Sequence, residues 1–238
     1  MQERSCCGAP QRRGAAAVPT RGRPAVGRII IDNIQDLVNN VYPDIHNISC
    51  KTISWFKERA ILSPTNEQID KINNLIVAKI DTPTQIYYSV DTFLDSEEAV
   101  HFPTEFLNSL NPSGLPPHKM ELKVGCPVIL LRNLNPPKLC NGTRLLVKSL
   151  KTFIVECTIL TGCGTGEDVL IPRIPLIPSD LPFQFKRLKF PVKISFAMTI
   201  NKSQVPFFLN YDLMMESQEN RGQPSKIIGT YTVFSHVS

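Results

Sequence analysis

Residues 122–150 read LKVGCPVILLRNLNPPKLCNGTRLLVKSL, and this stretch decides the fold. The apolar run at residues 126–132 follows Gly125 and predicts a strand that is buried on both faces. Residues 133–141 hold three Asn and two Pro without periodicity, which is typical of a turn. Because Asn141-Gly142 accepts positive φ, a second strand is predicted from near Thr143 to Leu150. The stretch therefore predicts a β-hairpin.

The loop of this hairpin is basic. It holds Arg132, Lys138 and Arg144, and no acidic residue occurs between Glu121 and Glu156. An apolar hairpin is not stable alone in water, so further strands must cover it. Strands predicted at 152–160 and 169–174 bring the number in succession to four, which is enough for a small β-barrel.

The glycine-rich segment 161–166, TGCGTG, lies between two of these strands. A phosphate-binding loop would be followed by Lys-Ser/Thr and would open a helix, and this segment does neither. We therefore interpret it as a hairpin turn.

Composition limits the class of protein. Of the 238 residues 42% are apolar, which is too many for an intrinsically disordered chain. No window approaches the run of about eighteen apolar residues that spans a bilayer, so we predict a soluble protein with no membrane partner. Seven Cys form no C-x-x-C pair and four His are scattered, which supports neither a zinc site nor a redox motif. Buried free thiols are the simple interpretation.

The formal charge of +5 is unevenly distributed. Residues 1–28 hold six Arg against Glu3, and the remainder balances twenty basic against twenty acidic residues. Residues 119–151 hold seven bases against one acid, and residues 181–211 hold five bases and no acid. These two basic stretches either contact an anionic partner such as DNA or are solvated faces.

A strand, a polar loop and a helix are predicted in succession at residues 58–80. The strand covers 58–63, Pro64-Thr65-Asn66 forms the turn, and the helix covers 67–80. This unit is typical of α/β sheets, in which polar loops at the carboxyl ends of strands bind ligands. The alternative is that Thr65 and Asn66 only cap the helix. A short amphipathic helix at 30–41, strands at 84–90, 192–196 and 226–234, and a short helix near 103–110 complete the pattern.

Six ordered blocks between residues 29 and 204 resemble the C-terminal half of Pif-type DNA helicases of superfamily one. They are most similar to the copies associated with Helitron-like elements. The blocks are RAILSPTN (59–66), the helix with Asp70 and Ile72-Asn73, HFPTEFLNSLNPSGLPPH (101–118), GCPVILLRNLNPPKLCNGTRLLV (125–147), VLIPRI (169–174) and FPVKISFAMTINKSQ (190–204).

The resemblance implies an α/β fold: a partial RecA-like domain, the second domain of a P-loop NTPase, with an inserted small β-barrel. The implied boundaries are a disordered tail at 1–28, RecA-like segments at 29–118 and 179–204, the barrel at 119–178 and a divergent segment at 205–238. The implied location is the nucleus. The mitochondrion is the alternative, because residues 1–28 are rich in Arg and poor in acids.

The resemblance also implies nucleic-acid contacts. Thr199, Asn201, Lys202, Ser203 and Gln204 occupy a motif that touches the DNA backbone, and Thr65 and Asn66 lie at an inter-domain cleft. Together with Arg132, Lys138, Asn141 and Arg144 of the hairpin loop, they form the predicted binding set. The expected partner is single-stranded DNA, bound weakly and without sequence preference, and an intact helicase or another protein is a further expected partner.

The departures from the family concern the ATP site. The sequence has no G-x-x-x-x-G-K-[ST] motif and no Gly-Lys dipeptide, and nothing matches the Mg²⁺-binding acidic motif or the arginine motif. We therefore expect no catalytic residue, no metal site and no cofactor in this chain, although the intact family uses ATP and Mg²⁺. Three functions stay open: a truncated helicase without its own ATPase, a protein-interaction module, and a partial gene model of an active DNA helicase.

Overall fold

The computed structural model describes residues 33–94, 103–112, 114–179, 181 and 183–199, and the backbone of 215–216 and 228–229. Its helices are α1 (Ile34–Val41), a 3-10 helix (Ile45–Cys50), α2 (Ile53–Lys57), α3 (Asn66–Lys79) and α4 (Thr104–Ser109). Its strands are β1 (Ile61–Ser63), β2 (Thr84–Tyr88), β3 (Val90–Phe93), β4 (Lys119–Lys123), β5 (Pro127–Leu130), β6 (Arg144–Leu150), β7 (Ile154–Ile159), β8 (Asp168–Pro172), β9 (Ile174–Leu176), β10 (Phe185–Lys189), β11 (Val192–Ile194), β12 (Ala197–Thr199), β13 (Met215–Glu216) and β14 (Ile228–Gly229). Within these residues no helix has the length and apolar character needed to cross a membrane.

The predicted strand, loop and helix at 58–80 are confirmed as β1 and α3, and the mixed α/β class is confirmed with them. Strand β1 pairs in parallel with β12, and α3 packs on both strands through a buried apolar face that includes Ile72 and Ile76. Helix α1 starts at Ile34, four residues later than the sequence pattern predicts, because Asn33 caps it by accepting the Gln35 N–H at 2.9 Å.

The predicted hairpin is confirmed as β5 and β6. All four residues of β5 are buried, as a strand covered on both faces requires. Gly125 and Gly142 adopt φ of 87° and 92°, which only glycine tolerates easily, and a Cβ on Gly125 would lie 3.1 Å from Ile48 Cγ2. The peptide bond between Pro136 and Pro137 is cis. The turn interpretation of 161–166 is also confirmed, since this segment joins the antiparallel strands β7 and β8.

The four strands predicted to form a barrel, β5 to β8, join β11 in an open antiparallel sheet of five strands in the order β11-β5-β6-β7-β8. Within the described strands, β8 and β11 are its edges and do not pair with each other. In a closed barrel the apolar face of this sheet would be buried by the sheet itself. Here the antiparallel pair of β2 and β4, the β2–β4 ribbon, covers that face, because its residues Tyr87, Met120 and Leu122 pack into the same core as the sheet residues Val128 and Leu145. A separate sheet has the order β3-β10-β9.

The strand predicted at 192–196 is confirmed only over 192–194, as β11, because the chain changes sheets after Ile194. Strand β11 pairs with β5, whereas β12 pairs with β1, and only Ser195 and Phe196 stand between them. The Asn73 amide donates to the carbonyls of Ile194 and Ala197 at 3.2 Å, and its oxygen accepts the Ala197 N–H at 2.8 Å. Tyr42 Oη donates to the Phe196 carbonyl at 2.7 Å. We call Ser195-Phe196 the sheet-to-sheet link.

Two further strand predictions differ from the structure. The strand at 84–90 is divided into β2 and β3, because Ser89 between them turns its N–H toward the His118 carbonyl at 3.0 Å. Of the strand at 226–234 only β14 lies within the described residues.

Candidate nucleic-acid interface

Three of the predicted binding residues meet at one edge of the parallel pair. Ser63 and Thr199 are register partners at the carboxyl ends of β1 and β12, and Thr65 and Asn66 follow β1 directly. Thr65 is the residue before α3 but its side chain makes no capping hydrogen bond, and both side chains are exposed. The arrangement leaves polar groups available at the edge where α/β sheets bind ligands. Asn201, Lys202, Ser203 and Gln204 lie outside the described residues.

A second group lies in the hairpin loop between β5 and β6. Arg132, Lys138 and Asn141 are exposed. The charge of Lys138 is neutralised by an ion pair, because its Nζ lies 2.7 Å from Glu167 Oε2 in the turn between β7 and β8. A hydrogen bond within the loop stabilises its conformation, since the Asn133 side chain accepts the Asn141 N–H at 2.6 Å.

Arg144 does not belong to the binding surface, which corrects the sequence prediction. Its side chain is 0% exposed and donates to the carbonyls of Phe56 at 3.2 Å, Arg59 at 3.1 Å and Ser195 at 3.5 Å. The carbonyls of Arg59 and Ser195 each lie two residues before a strand, β1 and β12 respectively. Arg144 therefore joins the hairpin to the amino ends of the parallel pair, whereas Thr65 and Thr199 lie at its carboxyl ends.

Three more residues of the basic stretches are interior cations. Lys123 donates to the Ile80 carbonyl at the end of α3 at 2.6 Å, where the helix dipole favours a positive charge. Arg187 and Lys189 are 0% and 1% exposed. Of the eleven described cations in the two basic stretches, four are therefore buried and seven are exposed or half-buried. The four buried cations donate to main-chain carbonyls inside the protein.

Most exposed cations of the first basic stretch are paired. Lys119 contacts Glu121 at 2.8 Å, and Lys148 contacts Asp168. Within the described part of the chain, no carboxylate lies at salt-bridge distance from Arg132 or Lys151. The electrostatic surface that remains for a phosphate backbone is therefore small.

Arg187 forms a buried ion pair with Asp91. The Arg187 Nη2 lies 2.7 Å from Asp91 Oδ2, and both side chains are fully buried. The remaining N–H groups donate to the carbonyls of Leu107, Leu110 and Pro116 at 2.8–3.2 Å. The pair therefore fixes α4 and the following segment to the β3-β10-β9 sheet.

Lys189 lies beside this pair and next to His118. Its Nζ donates to the carbonyls of Tyr87 at 3.0 Å, Pro117 at 2.6 Å and His118. Burial, with a smaller contribution from the Arg187 charge, lowers the pKa of Lys189 to about 7. Burial also lowers the pKa of His118, whose Nδ1 shares a hydrogen bond of 2.7 Å with Ser89 Oγ.

The lowered pKa of Lys189 predicts that stability rises with pH between about 7 and 8.5. In this window the unfolded lysine, with its pKa near 10.5, holds a proton that the folded lysine releases. The free energy of unfolding should therefore increase by up to about 1.4 kcal/mol for each pH unit. The window ends below pH 9 because of the buried thiols Cys126 and Cys157, whose pKa is raised to about 12. Above pH 9 the unfolded thiols lose protons that the folded thiols keep, which lowers the stability as the pH rises.

Urea denaturation at a series of pH values checks this prediction, with Lys189→Met as the comparison. The variant should be less stable at every pH but should lose most of the slope. An equal slope in both proteins would assign the pH dependence to other groups.

No cluster of three or more His, Cys, Asp or Glu side chains arranged to hold a metal ion occurs among the described residues. What the site offers chemically is hydrogen-bond donors and a few positive charges. These groups suit non-covalent contact with phosphate oxygens.

Comparison with known proteins places the hairpin in a defined class of domain. Residues 105–150 match the model of the family described as the 2B domain of the DNA helicase Pif1. The predicted resemblance to Pif-type helicases is confirmed, and the matched segment contains the whole β5–β6 hairpin. Thr65, Asn66 and Thr199 lie outside it. A search of curated proteins finds no match to the chain.

Solved helicase structures are also similar to this chain. The Pif1 helicase of Candida albicans is 22% identical over 72% of this chain and 44% of that chain, with a TM-score of 0.48. Unliganded Pif1 from Bacteroides sp is 19% identical over 64% of this chain and 45% of that chain, with a TM-score of 0.44. Bacteroides Pif1 bound to ssDNA is 16% identical over 69% and 39%, with a TM-score of 0.42. The chain thus spans less than half the length of the solved structures that it matches.

Proposed function

We propose that this chain is a truncated Pif-type helicase fragment that binds single-stranded DNA weakly and without sequence preference. The observation that carries the proposal is the match of residues 105–150 to the Pif1 2B domain, because the exposed Arg132 lies in the matched hairpin loop. A single guanidinium among amide groups positions a phosphate backbone but reads no base. The association with Helitron-like elements, the boundaries of the RecA-like segments and a nuclear or mitochondrial location stay predictions.

The proposed binding surface has two parts. The hairpin loop contributes Arg132 and Asn141, and the carboxyl edge of the parallel pair contributes Thr65, Asn66 and Thr199. Only the first part carries a full positive charge within the described residues, and Lys202 would add another if it contacts DNA as the resemblance implies. So few charges predict low affinity and a shallow dependence on salt.

The proposal includes the absence of ATP hydrolysis by this chain alone. Phosphoryl transfer depends on positioned cations around the phosphates, and the sequence has no Gly-Lys dipeptide from which a phosphate loop could present its lysine. ATP and Mg²⁺ are therefore expected to act only in intact members of the family.

Titration of a labelled oligonucleotide at several salt concentrations tests the proposal. The logarithm of the binding constant should fall with the logarithm of salt concentration, and Arg132→Gln should reduce that slope by about 0.7. Lys119→Gln is the matched control, because Lys119 is exposed but paired with Glu121 on the β2–β4 ribbon. The same preparation should hydrolyse no ATP above a Lys202→Ala control, with or without DNA. Absence of binding at low salt, or DNA-stimulated hydrolysis, would contradict the proposal.

A second candidate function is a protein-interaction module. The observation that favours it is an exposed apolar side chain on the edge strand β8, where Leu170 is 62% exposed. Sedimentation of the chain with an intact Pif-type helicase would then show a complex that Leu170→Lys abolishes and Arg132→Gln preserves. If Arg132→Gln abolished the complex and Leu170→Lys preserved it, the result would favour DNA binding instead.

A further inference from the structure

The hairpin loop packs directly on the turn between β7 and β8. The Lys138 ammonium contacts Glu167 at 2.7 Å, and its aliphatic stem lies over Gly164, where an added Cβ would be 3.5 Å from the stem. A Cβ at Gly164 would also lie only 2.9 Å from Ile159 Cδ1 of β7, so this position leaves little room for a larger residue. We call this contact the loop junction.

Two thiols meet at the loop junction, one from each segment. Cys140 Sγ donates to the Pro137 carbonyl at 3.6 Å, and Cys163 Sγ donates to the same oxygen at 3.5 Å. Because both sulfurs contact one atom, their separation cannot exceed the sum of these two distances. Cys163 is exposed and Cys140 is half-buried, so reagents in solution reach the pair.

The other described cysteines lack these properties. Cys126 and Cys157 are buried, and burial raises the pKa of each thiol to about 12, which makes them unreactive. Cys50 is exposed, but it shares no such contact with a second described thiol. The described cysteines are all free, as predicted, but the predicted burial holds only for Cys126 and Cys157 and is wrong for Cys50, Cys140 and Cys163.

We propose that Cys140 and Cys163 are a dithiol modification site that a small-molecule disulfide, such as glutathione disulfide, converts to an intrachain disulfide. The Cys163 thiolate attacks glutathione disulfide, forming a mixed disulfide and releasing one glutathione thiolate. The Cys140 thiolate then attacks the Cys163 sulfur and releases the second. The two cysteines lose two protons and two electrons, and the glutathione disulfide takes up both as two reduced glutathione molecules.

The fold favours the second step over release of a singly modified protein. The loop junction holds Cys140 beside Cys163, so its local concentration at the mixed disulfide far exceeds that of glutathione in solution. Disulfide formation requires both sulfurs to leave the Pro137 carbonyl and to adopt other staggered side-chain rotamers. Disulfide formation costs little hydrogen-bond energy, because the Pro137 carbonyl loses only two weak S–H donors and water replaces them at this exposed position.

Peptide mass spectrometry of the full chain tests the proposal. The reduced protein is incubated with glutathione disulfide, the remaining thiols are alkylated, and the digest is searched for a Cys140–Cys163 peptide that lacks two hydrogen atoms. We expect this peptide to hold most of the oxidised Cys163, with Cys50 present as a mixed disulfide. The Cys50→Ser variant should give the same yield.

A pair of matched variants tests whether the loop junction promotes the reaction. Glu167→Gln removes the ion pair between the two segments and should slow crosslinking about two- to fivefold, the range that a surface ion pair allows. Glu156→Gln removes an ion pair with Lys148 on the same sheet and should leave the rate unchanged. Equal rates in the two variants would contradict the role of the loop junction.

The proposal is overturned if Cys163 remains a mixed disulfide with glutathione while Cys140 is alkylated. It is also overturned if Cys140 pairs mainly with Cys50 or with Cys6 and Cys7 of the N-terminal sequence. Neither result depends on DNA, so a failure of DNA binding and a failure of this inference are separate outcomes.

Discussion

Arg187→Met should lower the free energy of unfolding by about 3–5 kcal/mol, because it leaves the buried Asp91 carboxylate without its cation. The methionine fills a similar volume but donates no hydrogen bond, so the carbonyls of Leu107, Leu110 and Pro116 also lose the N–H groups of Arg187, and the Leu107 carbonyl keeps the N–H of Leu110 at 3.2 Å. Urea denaturation followed by circular dichroism measures the change.

Lys186→Met is the matched control for this prediction, since Lys186 lies next to Arg187 on β10 but is exposed. It should change stability by less than about 0.5 kcal/mol. The double variant Arg187→Met with Asp91→Leu should recover part of the loss, because no uncompensated charge stays buried. A loss below about 1 kcal/mol for Arg187→Met would mean that the ion pair does not fix α4 to the sheet.

Arg144→Met should cost about 3 kcal/mol through a different mechanism. The substitution removes the guanidinium donor from the interior carbonyls of Phe56, Arg59 and Ser195, and the Phe56 carbonyl keeps the N–H of Arg59 at 3.4 Å. The same denaturation experiment measures the loss.

Arg132→Met provides the comparison within the same hairpin, because its side chain is exposed. It should leave the unfolding midpoint nearly unchanged while weakening DNA binding. Arg144→Met should lower the unfolding midpoint but leave DNA binding nearly unchanged, at temperatures where the variant stays folded. If Arg132→Met destabilised the protein as much as Arg144→Met, the assignment of one arginine to the interior and the other to the surface would be wrong.

The local elements were predictable from sequence because their signals are local. The hairpin follows from an apolar run, an Asn-Gly dipeptide and a second strand, and α3 follows from a helical apolar pattern after a polar turn. The open sheet was not predictable in this way. Whether β8 returns to pair with β11 depends on residues distant in sequence, and the apolar face that closure would bury is covered here by the β2–β4 ribbon.

The candidate site was predictable only in part for a similar reason. In the sequence, Arg132 and Arg144 are two arginines of the same loop with nothing to distinguish them. In the structure Arg132 is exposed, whereas Arg144 is buried against carbonyls from α2 and the sheet-to-sheet link. A signal for interior cations does exist on β10. Strand alternation places Phe185, Arg187 and Lys189 on one face, so an inward Phe predicts that the two cations also point inward.

The sheet-to-sheet link restricts how the length of this chain can vary among related proteins. An insertion of one residue at Ser195-Phe196 would move either β11 against β5 or β12 against β1 by one register position, which reverses the faces of the side chains on that strand. It would also displace the carbonyls and the N–H that Asn73 and Tyr42 bind. Related sequences should therefore gain and lose residues in the exposed turns and keep a constant spacing between β11 and β12.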